Sequence, residues 1–176
     1  MEFINKLSET LLYFVPAVLV LGSLYLMIKK YLDNDYKLRL LDAKRNVSKE
    51  MIPVRLQAYE RMVLFLERIN PSILVMRTSE PSMTADRLHA ALIATIRAEY
   101  EHNFTQQLYM SPKVWDAIKN AKEETIKLIN LSAAAVPDAS PAQHLSKAIF
   151  DLMVKTERIP TQHALEALKA EARQIF

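Results

Sequence analysis

The residues best placed for chemistry in this 176-residue chain are Glu99 and His102, three apart in the stretch AEYEHN. On a helix an i,i+3 Glu and His share a side, and ferritin-like di-iron bundles draw such a pair from each of two helices. Asp86 and His89 repeat the spacing, but on the same predicted helix. A di-iron centre needs its second pair on another helix and two more inward carboxylates. The remaining histidines, His144 and His163, follow Gln143 and Gln162 instead. A metal-binding or enzymatic bundle using Glu99, His102 and His89 is therefore an alternative reading, and neither a metal nor any other cofactor is expected. The sequence has no HExxH motif and no nucleophile elbow, and its single glycine, Gly22, rules out Gly-rich phosphate loops. With no Cys there are no disulfides, thiolate ligands or cysteine nucleophiles. No enzymatic activity is expected.

A second feature lies on the same segment. His89, Asn103 and Gln107 fall near the side that carries Leu92, Ile96 and Tyr100. A polar group buried on an apolar stripe must be hydrogen-bonded or it costs about 1 to 3 kcal/mol. Such groups either form an internal network or line a groove that receives a partner. His89, Glu99, His102, Asn103 and Gln107 are accordingly the candidate partner-binding surface.

The elements that must hold these residues are helical. One Gly against eight Pro leaves almost no residue suited to the φ > 0 turns of hairpins and favours helices joined by Pro-marked loops. The expected fold is all-α. An N-terminal transmembrane helix (1–28) continues into a juxtamembrane stalk helix (29–52), and a cytoplasmic domain (53–176) forms a bundle of about five helices.

Leu11 to Ile28 reads LLYFVPAVLVLGSLYLMI, 18 residues without a charge. At ~1.5 Å per residue, roughly 20 apolar residues cross a bilayer core. Glu2 and Glu9 beside Lys6, and Lys29-Lys30 where a cleavage site would stand, argue for a retained anchor over a signal peptide. Basic residues crowd the C-terminal flank, which predicts a short N-terminus outside the inner membrane and the body in the cytoplasm. Lys29, Lys30, Lys37, Arg39, Lys44 and Arg45 are candidate lipid-headgroup contacts, diluted by Asp33, Asp35, Asp42 and Glu50. The net charge of +3 is concentrated here and not spread over a face, so nucleic acid is not an expected partner.

After the anchor, Tyr36, Leu40, Ala43, Val47 and Met51 recur on one face of the stalk, and Pro53 is expected to end or kink it. Leu56, Tyr59, Met62, Val63, Phe65, Leu66 and Ile69 form the face of a core helix stopped by Asn70-Pro71. Thr84 caps a long helix predicted to reach Tyr109, with Leu88, Leu92, Ile96, Tyr100 and Phe104 along one side. Ser111-Pro112 opens a helix bearing Trp115, Ile118, Thr125, Leu128 and Ile129, with Glu123 and Lys127 as an i,i+4 pair. Ser140-Pro141 opens another with Leu145, Ile149, Leu152 and Met153. Pro160-Thr161 opens the last, with Leu165, Leu168, Ala172 and Ile175.

The blocks PVRLQAYERMVLFLERINPS, IRAEYEHNFTQQLYMS and VWDAIKNAKEETIKLIN resemble an uncharacterised family of short bacterial membrane-anchored helical proteins, over roughly residues 45 to 132. The resemblance implies a bacterial inner-membrane setting and transfers no activity and no catalytic residue. The leading expectation is a membrane-anchored, non-enzymatic adaptor or accessory subunit that docks a protein partner or assembles with itself. Besides the metal-binding bundle, binding of anionic lipid or nucleic acid through the juxtamembrane bases is the other alternative.

Overall fold

The structure is a computed structural model that describes residues 2–137, 139–156 and 159–175. The side chains of 2–13, 15, 17 and 43–48 lie outside that description. Every element is helical: α1 (Glu2–Arg68), α2 (Pro71–Thr78), α3 (Ala85–Asn103), a 3-10 helix (Phe104–Tyr109), α4 (Pro112–Ala134), α5 (Ala142–Thr156) and α6 (Gln162–Ile175). The chain divides into two compact units, Met1–Met51 and Ile52–Phe176.

The first unit is helix throughout its described length. Its apolar side chains are open: Phe14, Leu19, Leu21, Tyr25 and Met27 are all about two-thirds exposed or more. Among the described residues no helix is long and apolar enough to cross a membrane. Leu11, Leu12, Tyr13, Val15 and Ala17, five of the residues in the expected span, lie outside the described side chains, as do Ala43, Lys44, Arg45 and Val47 of the stalk. Lys29, Lys30 and Lys37 are exposed, whereas Arg39 Nε is engaged by Asp35 Oδ2 at 2.8 Å, one turn away.

The second unit contains one buried apolar cluster. Pro53, expected to end or kink the helix, does not end it: α1 stays helical through it. An interior proline costs about 3 kcal/mol. Burial of Ala58, Tyr59, Met62, Phe65, Leu66 and Ile69 on the following turns outweighs that. Leu56, expected on this face, is exposed at 43%. Asn70 then ends the run and caps α2, its Oδ1 accepting from Ser72 N at 3.1 Å with Pro71 in the first turn. Asn70→Ala is expected to lower stability by about 1 kcal/mol, read as an earlier midpoint in urea; an unchanged midpoint would mean the cap contributes nothing.

Helix α4 is the central element, packed against α3, α5 and α6. Its face Val114, Trp115, Ile118, Ala121, Thr125, Leu128 and Ile129 is buried as the helical spacing predicts. Ser111 caps it, accepting from Val114 N at 3.3 Å, with Pro112 at the first position. The predicted Glu123–Lys127 pair is replaced by Lys122–Glu123 at 2.8 Å. Helix α3 stops at Asn103, short of Tyr109. There the Asn103 amide donates to Glu99 O at 2.8 Å, and the Phe104 N–H turns to Glu101 O, three residues back, tightening the chain into the 3-10 helix.

The N-termini of α3 and α5 are tied by a two-residue antiparallel bridge, Thr84 to Pro141. Ala85 N donates to Ser140 O at 2.7 Å, and Ala142 N to Met83 O at 3.0 Å. This changes the expected cap: α5 starts one residue beyond Pro141, and the Ser140 hydroxyl donates back to Pro137 O at 2.6 Å. Ala139 takes the left-handed conformation, φ 58°.

Candidate functional site

Asp86, His89, Glu99 and Asn103, among the residues singled out for chemistry, make hydrogen bonds or ion pairs within the fold. Asp86 Oδ2 accepts from Ala139 N at 3.3 Å, and His89 Nε2 lies 2.7 Å from Asn130 Oδ1, with the ring nitrogen donating. The Asp86-x-x-His89 pair thereby holds the end of α4 and the loop after it against α3. Glu99 takes Arg68 of α1 at 3.2 Å and Arg77 of α2 at 3.5 Å, its side chain only 17% exposed. The carboxylate thus links two elements to α3, through a charge-assisted hydrogen bond from Arg68 and an ion pair with Arg77. Asn103 is 6% exposed and satisfied by the Glu99 carbonyl. His102 is exposed and Gln107 half-buried. Among the described residues no three His, Cys, Asp or Glu groups lie close enough to share a metal ion.

Beneath this segment is an aromatic cluster that the separate stripes did not reveal. Tyr100 stacks on Trp115 at 5.7 Å between centroids, and Phe104 meets both rings edge-on at 5.9 and 6.1 Å. Phe65 tilts against Tyr100 at 6.0 Å, and the Lys122 ammonium sits 4.3 Å above the Tyr100 ring. Offset and edge contacts of this kind add about 0.5 to 1.5 kcal/mol each beyond burial.

A polar knot joins three elements at a point to which no sequence motif led. Glu171 of α6 receives the Tyr59 hydroxyl of α1 on one oxygen and the Ser111 hydroxyl at the cap of α4 on the other. Ser111 N also donates to it, at 2.9 Å. Burial alone would raise the Glu171 pKa. The Ser111 and Tyr59 hydroxyls, the Ser111 amide and the nearby Arg55 charge outweigh burial and hold it below the usual carboxylate value. Burial, reinforced by the bond to Glu171, pushes the Tyr59 hydroxyl up to about 12.

One concave feature of the described surface is a groove of about 700 Å³ among α4, α5 and α6, within the ~300–1,000 Å³ range of ligand pockets. Ala121, Leu128 and Ala164 form its buried floor, and Leu131, Leu152 and Ile159 its apolar walls. Glu124, Lys127, His163 and Glu166 are charged or titratable groups on its edge. None of the residues proposed from sequence lines it. The signal was present in Leu131 and Ile159, large apolar residues off the core stripes, but exposure must be seen before such a residue stands out.

A family model matches residues 5–175. The chain belongs to DUF7935, a family of unknown function. The match covers the resemblance noted in the sequence and extends it to the last helices. No curated protein and no solved structure matches this DUF7935 chain.

Proposed function

We propose that this DUF7935 protein is a membrane-anchored, non-enzymatic adaptor whose helical domain docks a protein partner or a second copy at the inner face of a bacterial inner membrane. The observation that carries the reading is the open apolar helix of the first unit, whose described large side chains, Phe14 and those from Val18 to Ile28, are exposed. An uncharged run of 18 residues needs apolar cover, and a lipid bilayer supplies it. Lys29 and Lys30 follow at once, orienting the second unit toward the cytoplasm and meeting anionic headgroups. The engagement of Glu99 by Arg68 and Arg77 speaks against the metal-binding alternative.

Carbonate-washed membranes should retain the chain, and a reporter fused after Phe176 should be active in the cytoplasm only. Recovery in the soluble fraction would remove the anchor, and periplasmic reporter activity the orientation. A photo-crosslinking residue at Leu131 should give a discrete adduct in cells. A strictly monomeric chain with no crosslinked neighbour would overturn the adaptor reading.

A further inference from the structure

Resting on the adaptor reading, we propose that the groove among α4, α5 and α6 receives a partner helix whose apolar face is edged with Lys or Arg. The groove is walled by helices and open to solvent, a setting in which an amphipathic helix can lay its apolar face between ridges. Leu131 and Ile159 are 55% and 39% exposed and both line it, so apolar surface in the slot stands in water until something covers it. A small molecule seated in an open slot would leave its own outer face in water, whereas a helix carries its polar side there.

The sign of the partner's charge comes from the edge. Glu124 and Glu166 both line the groove, and neither has an ion-pair partner among the described residues. Glu166 accepts only a neutral amide, Gln162 Nε2 at 3.1 Å. Among the described lining residues Lys127 is the opposing charge, against the two carboxylates Glu124 and Glu166. Elsewhere on α4 the acidic residues Asp116 and Glu123 are matched by Lys119 and Lys122 at 2.7 and 2.8 Å. On α4 the carboxylate left unmatched, Glu124, is thus the one that borders the apolar slot, and complementary charge there selects partner and register.

The test uses the full chain in a neutral detergent and two labelled amphipathic peptides with the same Leu face, one edged with Lys and Arg and the other with Glu. Fluorescence anisotropy should show the basic peptide binding about tenfold or more tighter, a difference that corresponds to 1.4 kcal/mol. That preference should shrink with added salt. E124Q with E166Q should remove most of the preference, and Leu131→Ser should weaken the basic peptide several-fold while leaving the urea midpoint unchanged. Equal binding of the two peptides, no binding of either, or a preference untouched by E124Q with E166Q would overturn the proposal. If the Leu131 photo-crosslink still forms in cells in any of those cases, the adaptor reading stands and only the basic helix falls.

Discussion

Trp115→Ala is expected to destabilise the second unit by about 3 to 5 kcal/mol, the range for deleting a large buried aromatic side chain. Trp115 is 7% exposed and lies on the face of α4 that meets α3. The substitution removes the stack on Tyr100 and the edge contact with Phe104, so it loses ring–ring interaction as well as burial. Refilling is limited, because Tyr100 is also held by Phe65 on one side and by the Lys122 ammonium on its face. Single domains are stable by only about 5 to 15 kcal/mol, so a large part of the folded margin should go. Urea unfolding followed by circular dichroism reads the change, and Trp115→Phe should recover more than half of it. A loss below about 1 kcal/mol would mean that the cluster is not part of the core.

Glu171→Ala is expected to cost about 2 kcal/mol at neutral pH and to change how stability depends on pH. The carboxylate accepts from the Tyr59 hydroxyl and from both the hydroxyl and the amide of Ser111, and hydrogen bonds to a charged group contribute about 1.5 to 3 kcal/mol. Partial exposure of Glu171 keeps the estimate in the lower half of that range. In the folded protein its pKa is lowered, so its contribution is present above the usual carboxylate value and is lost as pH falls through the depressed one. Tyr59 behaves oppositely. Its folded pKa is raised from 10.0 to about 12, so its contribution is complete below pH 10 and lost as pH rises toward 12. The wild-type protein should therefore lose stability at both limits, and Glu171→Ala should flatten the acid limb but only reduce the alkaline one, because burial is the larger cause of the Tyr59 shift. Glu171→Gln, which still accepts one bond, should retain part of the neutral-pH stability while losing the acid limb. An unchanged acid limb in Glu171→Ala would assign that limb to other carboxylates.

The part of the fold legible in the sequence is the part governed by interactions close along the chain. Leu88, Leu92 and Ile96, and the Trp115 to Ile129 stripe, are buried as 3.6-residue periodicity requires. Ser111-Pro112 and Asn70-Pro71 bound their helices because a capping side chain and a preset φ act within a few residues. Where prediction failed, a competitor lay farther off or in the side-chain geometry. Pro53 has a strong local meaning, and burial of the face beyond it overrode that meaning. The helix expected to reach Tyr109 tightens at Asn103, whose amide takes the Glu99 carbonyl. Ser140 and Pro141 read as a cap, but pairing with Met83 to Ala85, more than fifty residues earlier, sets where α5 begins.

The candidate site divides along the same line. Glu99 and His89 were visible as polar residues beside a core stripe, and the sequence left open whether they faced a partner or the protein itself. Arg68, Arg77 and Asn130, from other helices, give them partners within the protein. The knot at Glu171 joins residues from α1, α4 and α6, and the groove joins α4, α5 and α6, so neither has a spacing that a linear pattern could carry. By itself the sequence determined the helical class, most of the caps and core stripes, and an uncharged apolar run near the N-terminus, because periodicity, proline placement and hydrophobicity are properties of neighbouring residues. Only the tertiary structure decided which charges are matched and which apolar side chains stay open, because a partner for a carboxylate or a cover for a leucine can come from anywhere in the chain.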